Sequence, residues 1–367
     1  MLFSTISGAV CGVNGYMIAI EVDMADGLPC IEMVGSLGRE VKESAERVRV
    51  ALRNIGYIIP PKRFTVNLSP AGIKKGGTAF DVPIALGILG CMGCLEMPEC
   101  ESVLSVGELG LDGSVRGVKG VLPILLAAKD AGINTCIVPE SNRREGECVN
   151  GIRVIGVENF CEILDYLSSP SEFRQRKGNV DMVGTVGQQK VKIPDFSNIA
   201  GQTMAKRAAE IAAAGFHNLL LYGPPGTGKS MIASAIPGIL PPMDPAEMLD
   251  TSGIYSVAGL LDEEKNYIRE RPFMSPHHTI TPQALIGGGV MPGPGIISLA
   301  NHGVLFLDEL PEFKRRTLDM LRQPIEEGKI TITRKSGNYT YPCNFMLVAA
   351  MNKALIILIQ SKSPQTA

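Results

Sequence analysis

Leu219-Leu-Leu-Tyr-Gly-Pro-Pro-Gly-Thr-Gly-Lys-Ser230 decides the fold. The apolar run Leu219–Tyr222 reads as a short buried strand. It empties into Gly223, Pro224, Pro225, Gly226, Thr227, Gly228, Lys229 and Ser230, which fit the G-x-x-x-x-G-K-[ST] phosphate-loop pattern. Glycines there let successive backbone N–H groups face one concavity that cradles phosphate oxygens. A helix starting near Lys229 adds the positive end of its dipole. Lys229 is placed to reach the β- and γ-phosphates of ATP, and the Ser230 hydroxyl to hold Mg²⁺. Met231–Ile236 continues as a helix-compatible run, so the pattern has a strand before it and a helix after it.

About 80 residues on, Gly303-Val-Leu-Phe-Leu-Asp-Glu309 supplies a second apolar strand, Val304–Leu307, ending in an acidic pair. Beside a phosphate loop, Asp308 is the expected Mg²⁺-shell residue and Glu309 the expected water-orienting one. A third strand, Phe345–Ala350, leads to Asn352. Its amide is a candidate to sense the γ-phosphate or the water; a plain turn asparagine is the competing reading.

Composition bounds the rest. The 367 residues suggest two or three domains. The balance of 45% hydrophobic and 20% charged residues with 41 glycines is that of an ordinary α/β protein. A net charge of −2 argues against a wholly basic nucleic-acid binder. The nine cysteines form no framework; Cys91-x-x-Cys94 is the one tight pair, sits in an apolar run without a histidine, and reads as buried thiols rather than zinc ligands. That usage suits a reducing cytoplasm. No stretch reaches the roughly 18 apolar residues of a membrane helix, and the N-terminus lacks a basic region before an apolar core.

Residues 1–165 read as an α/β domain. Ile18–Val22, Ile31–Val34, Phe64–Leu68, Val103–Glu108 and Thr135–Pro139 are expected strands, and Val41–Ile55, Asp81–Leu95 and Val121–Ala131 expected helices. Lys42, Glu43, Glu46, Arg47, Arg49 and Arg53 share the solvated face of the first helix, and Lys74 and Lys75 sit on an expected solvated loop. Residues 166–194 read as a linker from their breakers and charge. The segment 195–352 carries the phosphate loop. Thr203–Ala214, Met248–Val257 and Lys314–Glu327 are expected helices, and Ile330–Thr333 with Tyr339–Tyr341 a hairpin. His277-His278 has no acidic or cysteine partner at ligand spacing, so a structural or interface role is expected over metal binding. Gly287–Gly295 reads as a flexible loop placed to reach a central pore. Ile199, Gly201 and Gln202, just before the Thr203 helix, are candidate adenine contacts.

Two resemblances follow from quoted residues. Gly107-Glu-Leu-Gly-Leu-Asp-Gly-Ser-Val-Arg-Gly-Val-Lys-Gly-Val-Leu-Pro123, with Leu125-Leu-Ala-Ala128 and Ala131-Gly-Ile133, resembles the proteolytic domain of Lon, a ribosomal-S5-domain-2-like α+β fold. The family's serine–lysine dyad is absent: the loop reads Lys74-Lys-Gly-Gly-Thr-Ala-Phe80 and Val121–Ala127 contains no lysine, so a non-proteolytic domain is implied. Taken with Val41-Lys-Glu-Ser-Ala-Glu-Arg-Val-Arg49, Phe80-Asp-Val-Pro-Ile-Ala-Leu-Gly87, Pro276-His-His-Thr279 and Leu321-Arg-Gln-Pro-Ile-Glu326, residues 1 to about 352 resemble the YifB/ComM family of magnesium-chelatase-like AAA+ ATPases. That resemblance implies a Lon-like domain followed by an AAA+ module, ATP and Mg²⁺ as cofactors, ring hexamers as the assembly, and for one branch work on single-stranded or branched DNA during natural transformation. Residues 353–367, Lys-Ala-Leu-Ile-Ile-Leu-Ile-Gln-Ser-Lys-Ser-Pro-Gln-Thr-Ala, depart from the family and read as an aberrant tail replacing a helical lid.

Three readings stay open: an ATP-driven ring motor on DNA, a nucleotide binder that does not hydrolyse, and a chelatase-type subunit driving metal insertion. With no tryptophan and 5% aromatic residues, no stacking platform for bases is legible, so DNA rests on the resemblance alone.

Overall fold

The computed structural model describes residues 2–95, 103–177, 194–261, 267–289, 292–334 and 337–352. The expected tail 353–367 lies outside them, as does most of the expected linker. The chain divides into two units, Met1–Gly184 with Tyr255–Tyr267, and Thr185–Ile254 with Ile268–Ala367.

The first unit is built on a seven-stranded mixed sheet. Its strands are β1 (Leu2–Cys11), β2 (Asn14–Ala25), β3 (Cys30–Val34), β4 (Arg63–Ser69), β5 (Val103–Ser105), β8 (Thr135–Pro139) and β9 (Arg153–Val157), in the order β3-β4-β2-β1-β5-β8-β9. A small antiparallel pair, β6 (Glu108–Leu109) and β7 (Val115–Arg116), stands beside it. The hairpin β1–β2 and the β2–β4 pair are antiparallel, while β3–β4, β1–β5, β5–β8 and β8–β9 are parallel. The helix Asp81–Cys91 is apolar nearly all round, and every one of its residues is buried; a helix with no polar face has nowhere else to go. The helix Val121–Asp130 lies so close to the β-hairpin that a Cβ on Gly15 would meet the Pro123 carbonyl at 2.1 Å.

Three expectations need correcting here. Arg47 is not part of a solvated face: it turns inward and grips Asp81, which is 0% exposed, through Nε–Oδ2 (2.8 Å) and Nη2–Oδ1 (2.9 Å). Lys75 is fully buried, and its Nζ donates to the Pro70 carbonyl; burial pushes its pKa down. Residues 160–168 and 170–177 are helices, and Tyr166, Leu167 and Phe173 are buried in the core of this unit, so the first part of the expected linker is folded. Asn159 caps the first of these helices by accepting from the Glu162 N–H. Cys91 is buried as expected, with its thiol pushed up to about 11 by desolvation, whereas Cys94 is exposed.

The second unit carries four parallel strands, β10 (Leu219–Gly223), β11 (Phe273–Met274), β14 (Val304–Leu307) and β17 (Met346–Asn352), in the order β10-β17-β14-β11. Two hairpins lie outside the sheet: β12 (Gly287–Gly288) with β13 (Gly293–Pro294), and β15 (Lys329–Arg334) with β16 (Gly337–Pro342). All of β14 is buried, which is why it reads as an unbroken apolar run. Helices Thr203–Ala214 and Lys229–Ala235 bring Ala209, Ala212, Ala213, Ile232 and Ala233 into one core with Leu221, Val304, Phe306 and Val348 of the strands. The expected single helix Lys314–Glu327 is two short ones, Arg315–Asp319 and Arg322–Glu327. Pro324 has no N–H to bond the Met320 carbonyl, so the helix breaks there. Arg315, Arg316 and Arg322 are exposed. Within the expected Gly287–Gly295 loop, Gly287–Gly288 and Gly293–Pro294 pair as antiparallel strands, and the buried Tyr341 hydroxyl donates to the Pro292 carbonyl (2.6 Å).

Candidate functional site: the phosphate loop and its acidic pair

Strand β10 ends at Gly223, and Lys229 and Ser230 are the first two residues of the helix that follows. Gly226 (φ 77°) and Gly228 (φ 80°) hold the left-handed backbone that turns the loop between them. No atom would crowd a side chain at either, so the backbone angle and not space demands glycine. Thr227 Oγ1 closes the loop by donating to the Pro224 carbonyl (2.9 Å), and Gln202 Nε2 donates to the Thr227 carbonyl (3.1 Å). Gln202 therefore touches the loop, while Ile199 is buried in the core.

Lys229 is half-buried. Its ammonium donates to the carbonyls of Gly223 (3.1 Å) and Pro224 (2.8 Å) and to Asn352 Oδ1 (2.9 Å). The last contact follows from register: Gly223 and Asn352 are paired neighbours on β10 and β17. So the asparagine singled out in the sequence lies at the loop because its strand is the immediate neighbour of the phosphate-loop strand.

The acidic pair closes the site from β14. Ser230 Oγ donates to Asp308 Oδ2 (2.8 Å), and Asp308 Oδ1 accepts from the Glu309 N–H (2.9 Å). The two oxygens 2.8 Å apart suit adjacent corners of an octahedral Mg²⁺ shell, where ligands at about 2.1 Å stand about 3 Å from each other. Mg²⁺ asks for little more from a protein, because phosphates and waters complete its shell. Among the described residues no group of three or more histidine, cysteine or carboxylate side chains is gathered to hold a metal by itself.

The Glu309 carboxylate lies 3.7 Å from His278 Nδ1, longer than a hydrogen bond. This partner was not legible: the sequence gives the His277-His278 pair a structural role and no acidic neighbour, and the acidic residue arrives from 31 positions away. Strand β11 is the element that carries the pair there. It is anchored by Arg271, which is 8% exposed, pairs with Glu247 (3.1 Å) and donates to the His302 carbonyl (2.6 Å).

A parallel sheet with a phosphate loop after β10 and an acidic pair ending β14 defines the P-loop class. Within it, residues 195–366 match the family model described as magnesium chelatase, subunit ChlI, and residues 20–142 match one described as subunit ChlI of Mg-chelatase. The chain is 44% identical over 345 residues to the uncharacterized protein YifB of Escherichia coli and 43% identical over 350 residues to the competence protein ComM of Haemophilus influenzae, each match covering 94% of this chain. It is also 32% identical over 177 residues, 43% of its length, to the Lon protease of Lachnoclostridium phytofermentans, which agrees with the Lon-like expectation. The chain belongs to the YifB/ComM family of magnesium-chelatase-like proteins. It spans 66% of the length of the YifB protein and 67% of that of ComM. Among the described residues no helix is long and apolar enough to cross a membrane.

Proposed function

We propose that this chain binds ATP with Mg²⁺ at the phosphate loop and hydrolyses it. The observation that carries the reading is the convergence of Ser230 Oγ on Asp308 Oδ2 at 2.8 Å, with the Lys229 ammonium gathered on the same loop. Backbone N–H groups of Gly226–Ser230 would take phosphate oxygens, and Lys229 would exchange its carbonyl partners for the β- and γ-phosphates. Ser230 and Asp308 would hold Mg²⁺, which when bound neutralises developing charge on the phosphates. Glu309 would orient and polarise the attacking water, and Asn352, already on Lys229, would report the γ-phosphate. Gln202, one of the three adenine candidates, is held on the loop through Thr227.

Assembly into a ring of copies and action on DNA extend this reading. The competence name of the Haemophilus relative supports the DNA part. The test is ATP hydrolysis by the purified chain with and without single-stranded DNA, beside a nucleotide-binding titration. Turnover that rises with DNA is expected. Binding without turnover would reduce the site to a nucleotide holder, and turnover indifferent to DNA would remove DNA as the partner.

A further inference from the structure

The turn that leads into helix Thr203–Ala214 is anchored at both ends. Ile199 is buried in the core, and its carbonyl accepts from the Lys206 Nζ. Between these anchors Gly201 (φ 67°) and Gln202 (φ 53°, ψ 35°) both take left-handed backbone. Gln202 stands at the N-cap of the helix, where a polar side chain ordinarily accepts from the first free N–H groups. Its side chain makes no such bond. The amide reaches the phosphate loop instead, where Nε2 donates to the Thr227 carbonyl (3.1 Å).

That bond bears on the peptide between Thr227 and Gly228. In a planar trans peptide the C=O and the N–H point to opposite sides. A donor on the Thr227 carbonyl therefore fixes the Gly228 N–H on the side away from Gln202. Gly228 (φ 80°) carries no Cβ to oppose a flip of this peptide. A flip would bring the carbonyl oxygen round to where the N–H stood, and an oxygen there repels a phosphate where an N–H attracts it. The bond from Thr227 Oγ1 to the Pro224 carbonyl does not prevent the flip, because it holds the side chain and not the peptide.

We propose that Gln202 is a positioning residue that holds the Thr227–Gly228 peptide with its N–H toward the phosphates, so that it serves nucleotide binding through the triphosphate and not through the base. The proposal rests on the ATP-binding reading above, and it moves Gln202 from the adenine candidates to the phosphate loop. Gln202 touches no phosphate itself; it acts through Thr227. Gln202 is exposed, so water competes for both ends of the bond and the effect is modest: its loss costs roughly two- to tenfold in affinity. The factor is the same for any ligand that carries the triphosphate, whatever its base.

The test compares Mg-ATP with inorganic tripolyphosphate and Mg²⁺, which has no base, in binding titrations on the purified chain. Gln202→Gly removes the amide and leaves the left-handed backbone freely available, so the helix start is kept. It is expected to weaken both ligands by the same factor, with an unchanged unfolding temperature. Gln202→Asn, whose amide falls one methylene short of Thr227, is expected to match it. A second readout needs no ligand. The chain contains a single Thr-Gly step, Thr227-Gly228, so ¹³C-carbonyl threonine with ¹⁵N-glycine leaves one NMR cross-peak, from this peptide. Its carbonyl shift reports the hydrogen bond on the oxygen and is expected to move upfield in both variants. Loss of affinity for ATP with tripolyphosphate binding intact would return Gln202 to the base and overturns the proposal. Undiminished affinity for both ligands overturns it too, as does an unmoved carbonyl signal. If the parent binds neither ligand, the ATP reading falls by itself, and the hold on the peptide stands or falls on the carbonyl signal.

Discussion

Replacing Lys229 by alanine gives the sharpest test of the site. Its ammonium makes three hydrogen bonds, at 3.1, 2.8 and 2.9 Å, all to neutral oxygens: the carbonyls of Gly223 and Pro224 and the side chain of Asn352. Nucleotide binding exchanges neutral acceptors for phosphate oxygens. The ammonium is charged in both states, so its bonds are charge-assisted throughout, and the gain is the attraction between opposite charges, about 1–4 kcal/mol for unit charges about 4 Å apart at effective dielectric constants from about 80 down to about 20. Lys229→Ala loses that gain, or roughly 5- to 1,000-fold in affinity. The fold should survive, because the lysine is half-buried and the oxygens it leaves lie at the loop within reach of water. The assay is a titration with a fluorescent ATP analogue, with and without Mg²⁺, alongside thermal unfolding of each form. Equal affinity in parent and variant, with equal unfolding temperatures, would refute the phosphate-loop assignment.

Three further outcomes are expected. Glu309→Gln keeps nucleotide affinity and removes turnover, read by the same titration beside a phosphate-release assay; retained hydrolysis would dismiss Glu309 as the water-orienting residue. Arg47→Ala leaves the buried Asp81 carboxylate without its partner and costs about 3–5 kcal/mol in denaturant unfolding at neutral pH. Burial holds the Asp81 carboxyl above its ordinary value while Arg47 opposes the rise. Without Arg47 the folded state binds that proton still more readily than the unfolded chain, so the Arg47→Ala deficit should be full at pH 7 and shrink toward pH 4; a deficit constant across that range would contradict this account. Tyr341→Phe removes the donor to the Pro292 carbonyl and should cost about 1 kcal/mol, with faster amide exchange in the β12–β13 hairpin as the local sign; unchanged exchange there would mean the hydroxyl does not tether the hairpin.

The sequence alone determined the features whose physics is local. Gly226 and Gly228 are forced by backbone angle, Val304–Leu307 by its unbroken apolar run, and Asp81–Cys91 by an apolar surface all round. Those constraints act within a few residues, so a pattern reader can see them, and the phosphate loop, Asp308 and the main strands were legible for that reason. The helices at 160–168 and 170–177 were not, because the same breakers and charges that suggest a linker also occur at helix ends, and only Tyr166 and Phe173 meeting the core settle the matter. What tertiary structure decided is which residues meet across long separations. Arg47 looks solvated along its own helix until Asp81, 34 positions on, brings a buried carboxylate to it. Asn352 belongs to the site because β17 is the neighbour of β10. His278 meets Glu309 because β11 is the neighbour of β14. Strand order is set by the packing of whole layers and not by any local preference, so these pairings became visible only in the fold.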